Sequence, residues 1–356
     1  MDQSPPRITS VTVADVAHKA GVSKATAARV LGGYGTVSER VREAVTVAAR
    51  ALDYRPNELA RSMTTGRSGT IGVVVGDIEN PFFSLAVRGI TDVARQAGFT
   101  VILINSGEDV SAEKAAIRTL LAKRVDGLIV SPAKESDVEH LREATRSGLP
   151  LALLDRGSDT LDVDTVIADD RHAAEGITRR LIALGHRRIA YLTACDTPDH
   201  RFRTAGDINT GSVRRRIEGF LCVCQEADLD GMEDWVHVGA VTPEHTHRIA
   251  AAMLRTPQRP TAIIASDSLI GLEVFKVCRE LGLGIPGDLS LVSFHDADWT
   301  SVTTPPVTVV RQPVYGLGET AAKLLVERLN GKGGEASRIV LRTEVVDRAS
   351  IADAPV

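Results

Sequence analysis

The sequence predicts a small all-α head followed by an α/β body made of two doubly wound parallel-sheet subdomains. Residues 15–31, DVAHKAGVSKATAARVL, have the pattern of two short helices joined by a tight turn. From Thr70 onward, short β-branched runs alternate with amphipathic helices, which is typical of parallel strands covered on both faces. A chain of 356 residues is long enough for such a head and two further domains with cores of their own.

The first two helices are predicted to form a helix-turn-helix. The first is expected over residues 13–19, with Val13, Val16 and Ala17 buried. Gly21 supplies the positive φ angle that a sharp turn between helices needs. Ser23 is the expected N-cap of the second helix, because its hydroxyl can accept hydrogen bonds from free backbone N–H groups.

The second helix has one apolar and one polar face. Ala27, Val30 and Leu31 have the spacing of a buried stripe. The opposite face, together with the cap, provides the candidate DNA contacts Ser23, Lys24, Ala25, Thr26, Ala28 and Arg29. Arginine offers a bidentate fork to guanine, lysine a single long donor, alanine a surface for a thymine methyl group and threonine a hydroxyl for a phosphate. The alternative is an amphipathic helical hairpin with solvated charges.

A third helix and a linker complete the head. Ser38 is expected to cap the third helix, whose apolar residues recur on one face. Asn57 can then cap a further short helix, and Gly66 and Gly69 open a linker. A helix this short is marginal in water and needs a partner to form. A paired copy in a DNA minor groove, with Met63 as an apolar wedge, is one such partner.

Charge is distributed unevenly along the chain. Residues 1–68 contain ten Lys and Arg against six Asp and Glu, whereas the remainder contains 32 against 40. The whole chain has a formal net charge of −4. This asymmetry is compatible with nucleic-acid contact through the head.

The sequence argues against an enzyme, a metal protein and a membrane protein. Its histidines are scattered, no serine or cysteine lies in a nucleophile elbow, and GVVVGD lacks the spacing of a phosphate loop. The cysteines have no zinc spacing, so reduced thiols are expected: Cys195, Cys222, Cys224 and Cys278. Neither a signal peptide nor a membrane span is expected. We therefore predict a cytoplasmic protein without a cofactor or a metal.

The strands of the body fall into two series. The first contains TIGVVV, TVILIN, DGLIVS and LALLD, and the second contains RIAYLT, WVHVG, TAIIASD and LSLVSF. In doubly wound sheets, ligands bind beyond the carboxyl ends of the strands, and two facing domains form a cleft there. The candidate residues at those ends are Asp77, Asn80, Phe82, Phe83, Ser131, Asp155, Arg156, Asp267, His295 and Asp296. Each also has a structural explanation, since Asp and Asn often cap helices and Phe can seat a helix on its sheet.

Residues 12–69, with the α/β segment that follows, resemble the lactose/galactose repressor (LacI/GalR-type) family of bacterial transcription factors. The resemblance covers nearly the whole chain. It implies a helix-turn-helix DNA-binding domain, a hinge helix and a periplasmic-binding-protein-like body that binds an effector.

The predicted domain boundaries follow from this resemblance and from the strand pattern. They are a disordered N-terminus (1–10), the helix-turn-helix domain (11–56), the hinge helix and linker (57–69), an effector-binding and dimerisation domain (70–340) and a C-terminal tail (346–356). One subdomain is expected to comprise about 70–168 with 300–330, and the other 169–299 with 331–345.

The resemblance also assigns DNA contacts to particular residues. The implied base and phosphate contacts are Lys24, Ala25, Thr26 and Arg29. The implied hinge contacts are Asn57, Ala60 and Met63. The sequence departs from the family pattern at Ala27 and Ala28, where a valine and a serine are usual, and at Met63, where the wedge is usually a leucine. These departures affect the preferred operator but not the class of protein.

The resemblance further implies ligand contacts in the cleft. The segment RRIEGF resembles the family's ligand-contacting arginine followed by a glycine–aromatic pair, which selects Arg216 and leaves Arg214 and Arg215 on a solvated helix face. Asp155 and Asp267 match other ligand positions of the family. The full predicted effector set is Asp77, Phe82, Phe83, Ser131, Asp155, Arg216, Ser266, Asp267 and His295.

Three departures from the family pattern concern the ligand. Ser266 stands where an asparagine is frequent, and His295 stands where an aspartate typically grips hydroxyl groups. Val241 lies at or near a position that often carries an aromatic residue. Any ring stacking must then come from Phe82, Phe83, Phe202 or Trp299.

These features predict a homodimeric, ligand-responsive repressor that reads a palindromic operator. The expected ligand is a sugar or sugar derivative. Arg216 together with His295 is compatible with an acidic or phosphorylated sugar, and a nucleobase or nucleoside is the alternative. Ligand could either release DNA or promote binding. The rival class is a stand-alone small-molecule binding protein, which has no use for the residues before Gly69.

Overall fold

The structure, a computed structural model, describes residues 11–32, 35–54 and 66–355. The chain forms two compact units, Met1–Gly69 and Thr70–Val356. The predicted disordered N-terminus and three predicted hinge contacts lie outside the described residues: Asn57, Ala60 and Met63.

The head unit contains the three helices expected from the sequence. They are α1 (Val13–Ala20), α2 (Lys24–Gly32) and α3 (Glu39–Ala51). All three contribute to one small core, made of Val16, Ala17, Ala27, Val45 and Ala48. Gly21 ends α1 with a φ of 66°, as the tight turn requires. The helix-turn-helix is therefore formed as predicted.

The two predicted serine caps behave differently. The Oγ of Ser23 accepts a hydrogen bond from the backbone N–H of Thr26 at 3.1 Å and so caps the start of α2. Ser38 is the N-cap residue of α3, as predicted, but its side chain makes no capping hydrogen bond. Glu39 instead places a carboxylate in the first turn of α3, where the helix dipole stabilises it.

The body consists of alternating strands and helices. The strands are β1 (Thr70–Val75), β2 (Thr100–Asn105), β3 (Gly127–Val130), β4 (Leu151–Leu154), β5 (Asp164–Ala168), β6 (Ile189–Leu192), β7 (Val236–His237), β8 (Ala262–Ala265), β9 (Ser290–Phe294), β10 (Thr308–Arg311), β11 (Arg338–Leu341) and β12 (Glu344–Val346). The helices are α4 (Pro81–Gln96), α5 (Val110–Ala122), α6 (Glu139–Arg146), α7 (Asp170–Ala183), α8 (Gly211–Glu226), α9 (Pro243–Leu254), α10 (Ser268–Leu281), α11 (Trp299–Val302) and α12 (Val314–Leu329).

The strands form two sheets of equivalent topology, one per subdomain. The first has the order β2-β1-β3-β4-β5-β11, with every neighbouring pair parallel. The second has the order β7-β6-β8-β9-β10-β12, and β12 alone pairs antiparallel, with β10. The strand order reverses beside β1 in the first sheet and beside β6 in the second. Doubly wound folds bind ligands at such a reversal.

Two strands lie in a different subdomain from the one that the sequence predicted. β10 was expected in the first subdomain but pairs with β9 in the second sheet, with Thr308 opposite Val292. β11 was expected in the second subdomain but pairs with β5 in the first sheet, with Ile339 opposite Val166. A short apolar run predicts a strand but does not determine its sheet, because that depends on its tertiary partner.

The core of each subdomain lies on both faces of its sheet. In β1, Ile71, Val73 and Val75 belong to a cluster that includes α4 and α12, whereas Val74 belongs to the cluster formed with α5 and α6. Alternate residues of a strand point to opposite faces, so helices cover this sheet on both sides. The sequence pattern of near-continuous apolar strands follows from this double coverage.

The predicted C-terminal tail is packed against the second subdomain. Ser350 is fully buried, and its Oγ accepts a hydrogen bond from the backbone N–H of Thr308 at 2.8 Å. The ring of His186 is also buried, and its Nε2 lies 3.1 Å from the carbonyl oxygen of Ala352. Hydrogen bonds between the tail and the subdomain therefore hold the tail in place.

Within the described ranges, no helix has the length and apolar character needed to cross a membrane. In the same part of the chain, no group of three or more His, Cys, Asp and Glu side chains could hold a metal ion.

Candidate functional site

Helix α2 exposes most of the residues predicted to contact DNA. Four of them are exposed: Ser23, Lys24, Ala25 and Arg29. Thr26 and Ala28 are half-buried, whereas Ala27 lies fully inside the head core. The helix therefore presents two long cationic side chains beside a small methyl group. That surface has the size and chemistry to enter a major groove.

The second candidate site is a cavity of about 440 Å³ in the body, between the carboxyl ends of the two sheets. Its volume lies within the usual range for small-molecule sites. Eight of the nine predicted effector residues line it: Asp77, Phe82, Phe83, Asp155, Arg216, Ser266, Asp267 and His295. Strand-end reasoning and the family resemblance thus selected residues that lie together.

Ser131 is the exception among the predicted effector residues. It follows β3 directly and is completely buried, but it does not line the cavity. Its Oγ has no hydrogen-bond partner among the described residues. The structure therefore does not bring Ser131 together with the other eight predicted residues.

The guanidinium group of Arg216 is buried in the cavity wall and held from three sides. Nε donates to Oδ1 of Asp170 at 2.7 Å, and Nη1 donates to the carbonyl oxygen of Ser266 at 2.8 Å. The group also lies 4.3 Å from the centroid of the Phe294 ring. Burial raises the pKa of Asp170 to about 6, because desolvation outweighs the attraction of Arg216. The pair orients Arg216 and compensates its charge.

Asp155 and Ser212 join the two subdomains in the cavity wall. Oδ2 of Asp155 accepts a hydrogen bond from the hydroxyl of Ser212 at 3.1 Å. Oδ1 of Asp155 is buried and has no partner within the described part of the chain. Leaving a buried acceptor unpaired is unfavourable, so this oxygen would gain from a hydrogen-bond donor.

The second guanidinium group of the wall, that of Arg156, is paired with Glu108. Nη2 of Arg156 donates to Oε1 of Glu108 at 2.9 Å, and Nη1 contacts Oε2. Nη1 also donates to the carbonyl oxygen of Pro132 at 3.1 Å. Burial acts to lower the pKa of Arg156, but the Glu108 carboxylate reverses this and the net shift is upward. Arg156 therefore stays protonated, and the Glu108 carboxylate compensates its charge.

The second subdomain contributes Asp267 and His295. Oδ1 of Asp267 accepts hydrogen bonds from the backbone N–H groups of Leu269 and Ile270, both at 2.9 Å, so this residue caps α10 as well as lining the cavity. Burial raises the pKa of Asp267 and lowers the pKa of His295. His295 is therefore neutral at pH 7, and its buried Nδ1 has no partner in the described ranges.

Phe82 and Phe83 supply the aromatic surface of the cavity. Their ring centroids are 5.3 Å apart at an interplanar angle of 90°. Trp299 packs against Phe275 instead, with ring centroids 6.3 Å apart. Neither Trp299 nor Phe202 lines the cavity. Val241 does line it, and its side chain is 58% exposed.

The start of α8 docks onto the first subdomain. A Cβ atom on Gly211 would lie 1.7 Å from Oε1 of Glu135, so the close approach requires glycine. Arg214 pairs with Glu135, and Nη1 of Arg215 lies 3.5 Å from the same carboxylate. The prediction of a solvated face for Arg214 and Arg215 was therefore wrong, because a buried carboxylate of the other subdomain attracts both.

Sequence reasoning missed several polar residues of this site, among them Glu108, Glu135, Asp170 and Ser212. Glu108 follows β2 and could have been found by the strand-end rule that selected Asp77. The other three carry no such signal. Asp170 and Ser212 lie in first turns of helices, and Glu135 becomes important only through the docking of α8.

Comparison with known proteins places the chain in a family. Residues 12–57 match the bacterial regulatory proteins of the lacI family, and residues 178–351 match a periplasmic binding protein-like domain. The HTH-type transcriptional repressor PurR of Proteus mirabilis (strain HI4320) is 33% identical over 346 residues, which are 97% of this chain and 98% of the relative. The chain belongs to the lacI family. The lacI-family fold and the DNA-binding regulatory function expected from the sequence are thereby confirmed.

Solved structures of lacI-family proteins cover both units of the chain. The Lac repressor dimer bound to operator and the anti-inducer ONPF has a TM-score of 0.83 and 27% identity, over 97% of this chain and 100% of that one. The transcriptional regulator CelR in complex with cellobiose has a TM-score of 0.69 and 28% identity, over 96% of this chain and 99% of that one. This lacI-family protein is thus a transcriptional regulator with a DNA-binding head and an effector-binding body.

Proposed function

We propose that this lacI-family protein is a homodimeric repressor whose effector is a neutral, hydroxyl-rich small molecule, a sugar or sugar derivative. The charge balance of the cavity wall supports this ligand class. Both guanidinium groups of the wall are paired with carboxylates, whereas other acceptor atoms have no partner among the described residues. A nucleobase or nucleoside is the competing class of ligand.

The charges of the wall disfavour an anionic ligand. Arg216 is paired with Asp170, and Arg156 is paired with Glu108. Four further carboxylates line the cavity: Asp77, Asp155, Asp196 and Asp267. Charges interact more strongly in a partly desolvated cavity than in water, so a sugar acid or sugar phosphate would be repelled.

The hydrogen-bonding atoms of the wall favour a ligand with many O–H donors. Oδ1 of Asp155 is an acceptor without a partner in the described ranges, and Nδ1 of the neutral His295 ring can accept or donate one bond. Phe82 and Phe83 add an apolar surface on which a sugar ring can pack. The known complex of the related regulator CelR with cellobiose is consistent with this choice.

The proposed DNA contacts follow from the exposed face of α2 and from the resemblance. In the head they are Ser23, Lys24, Ala25, Thr26, Ala28 and Arg29, and in the proposed hinge helix they are Asn57, Ala60 and Met63. A two-fold protein matches a palindromic operator, and the related Lac repressor binds its operator as a dimer. An operator-binding protein acts where the DNA is, so the proposed location is the cytoplasm.

Ligand would act by favouring one arrangement of the two subdomains over another. Asp155 of the first subdomain and Ser212 of the second meet in the cavity wall, so a ligand bound in the cavity affects both subdomains. The resulting coupling to operator affinity is typically about 1–3 kcal/mol in such systems.

The proposal is tested on the full-length protein in two steps. First, the operator is selected from random duplexes. Neutral sugars, sugar acids, purine bases and nucleosides are then titrated by calorimetry, and operator affinity is measured with each ligand that binds. We expect heat from a neutral sugar and a change in operator affinity of about fivefold or more. Binding by purines or nucleosides alone would replace the sugar, and failure to select any duplex would favour the stand-alone binding protein.

A further inference from the structure

We propose that Glu108 makes the cavity select effectors according to their charge. Glu108 occupies the guanidinium fork of Arg156 and so excludes anionic ligands from the cavity. This inference rests on the proposed function, since it concerns the ligand class of the same cavity. Neither the family resemblance nor the sequence pattern assigned a role to Glu108.

The pair is built into the wall rather than formed by chance on the surface. The Arg156 side chain is 7% exposed, and its two terminal nitrogens contact the two carboxylate oxygens of Glu108. The carbonyl oxygen of Pro132 accepts a further bond from Nη1, and the Phe83 ring centroid lies 5.7 Å from the guanidinium carbon. A cation held on several sides cannot easily turn toward another partner.

The backbone also directs Glu108 toward Arg156. Glu108 has a φ of 60°, directly after Gly107 with a φ of 62°, in the turn that follows β2. The left-handed region is unfavourable for a residue with a Cβ, so surrounding contacts must hold it there. A Cβ on Gly76 would lie 1.9 Å from Oε1 of Glu108. Glycine at residue 76 therefore makes room for this carboxylate.

The consequence concerns the ligand's charge. A free guanidinium group offers parallel N–H donors that fit a carboxylate or a phosphate, and it is the preferred side chain for such ligands. In this cavity the carboxylate of Glu108 already fills that position. An anionic ligand would have to displace Glu108 and approach Asp155, whose Oδ2 lies 3.6 Å from Nε of Arg156. A neutral sugar meets neither obstacle.

The inference is tested with Glu108→Gln, which removes the charge but keeps the size and one acceptor oxygen. Matched probes differ only in charge: glucose with glucuronate, galactose with galacturonate, and ribose with ribose 5-phosphate. Calorimetry on the full-length protein gives the affinity ratio of each pair. In the wild type we expect the neutral member to bind more tightly. In Glu108→Gln we expect the ratio to shift toward the anion by about tenfold, with the neutral sugar affected much less.

Two variants control for other effects. Glu79→Gln removes the same charge from an exposed residue that does not line the cavity, and it should leave the ratio unchanged. Glu108→Asp keeps the charge and should retain the preference for the neutral member. Glu108 is 40% exposed, so its variants should fold, and Glu108→Ala provides the same charge removal if the glutamine variant is unstable.

The outcomes separate this inference from the proposed function. Neutral sugars that bind the wild type, combined with an unchanged ratio in Glu108→Gln, would overturn the role of Glu108 alone. An equal shift in Glu79→Gln would also overturn it, since the effect would then be one of overall charge. Absence of binding by every sugar in every variant would overturn the sugar proposal and this inference with it.

Discussion

Asp155 and His295 occupy equivalent places in the two sheets. Asp155 directly follows β4 with a φ of 65°, and His295 directly follows β9 with a φ of 68°. Each donates its backbone N–H to a carbonyl oxygen of the next strand, Asp155 to Val166 at 2.8 Å and His295 to Val310 at 3.0 Å. The two subdomains therefore present one polar side chain each to the cavity through the same local geometry.

The left-handed conformation explains why these side chains face the cavity. A residue that continued the strand would place its side chain on a face of the sheet, among the covering helices. The turn at positive φ instead redirects the chain at the carboxyl end. Such backbone strain outside glycine is a recurring feature of binding sites, and here it occurs at the same position in both subdomains.

Replacement of Asp155 should weaken effector binding. In Asp155→Asn the unpaired oxygen loses its charge or becomes an amide donor, so a ligand hydroxyl loses a charge-assisted hydrogen bond worth about 1.5–3 kcal/mol. We expect sugar affinity, measured by calorimetry, to fall by roughly tenfold to a hundredfold. Asp159→Asn makes the same change at a side chain that is 90% exposed, and it should have no effect. Equal affinity of Asp155→Asn and wild type would show that this carboxylate does not contact the ligand.

Replacement of Arg29 should reduce operator specificity. Arg29 is exposed on α2, so Arg29→Ala should weaken binding to the selected operator by about 1–3 kcal/mol and relax specificity at one base pair. Arg40→Ala removes the same charge from an exposed residue of α3 and should weaken binding to all duplexes alike. Gel-shift titrations at two salt concentrations measure both effects. A uniform loss in Arg29→Ala as well would make Arg29 a phosphate contact.

The structure also shows what sequence reasoning can and cannot predict here. Local rules predicted the helix-turn-helix, because Gly21 and Ser23 define its turn within a few residues. They also predicted the strands whose ends carry Asp77 and Asp155. Periodicity could not determine which sheet β10 and β11 join, since either sheet would bury the same apolar run. The sequence also could not show that Ser131 lies away from the cavity surface, because burial is a tertiary property.

The pairing of the cavity's charged groups could likewise not be predicted from the sequence. An arginine in a binding site suggests an anionic ligand, and Arg216 was interpreted in part that way. The structure pairs it with Asp170, 46 residues earlier in the chain, and pairs Arg156 with Glu108, 48 residues earlier. Pairs at such separations follow from the packing of helices and loops rather than from any local pattern.

Stability should depend on pH through His186. Burial lowers the pKa of His186 below its ordinary value of about 6.5, so the unfolded chain binds a proton more readily than the folded protein. By linkage, stability is then lost as the pH falls through about 6.5 toward the folded pKa. His186→Asn should be less stable by about 1–3 kcal/mol at pH 7.5, because bonds to Thr261 and Ser290 are lost.

The pH dependence is checked by urea unfolding at pH 7.5 and pH 5.5. The loss of stability between these values should be smaller in His186→Asn than in wild type. His172→Asn, at an exposed histidine, should leave the difference unchanged. Asp170 acts in the opposite direction, since its pKa is raised to about 6, but it is present in all three proteins and cancels in the comparison. An identical pH dependence in wild type and His186→Asn would exclude His186 as its source.

Two helical glycines should respond to alanine with opposite signs. In Gly211→Ala the new methyl group would collide with Oε1 of Glu135, which is held by the backbone N–H of Gly157 and by Arg214. Moving that carboxylate breaks the contacts that join α8 to the first subdomain, so we expect a loss of about 1–3 kcal/mol and weaker effector binding. Gly176 lies in α7 with open space around a built Cβ. Gly176→Ala should therefore raise stability by roughly 0.5–1 kcal/mol, as for an ordinary helix interior. Urea unfolding measures the stability of both variants. A stabilising Gly211→Ala would mean that Glu135 can leave this contact without cost, and that the docking of α8 does not depend on Glu135.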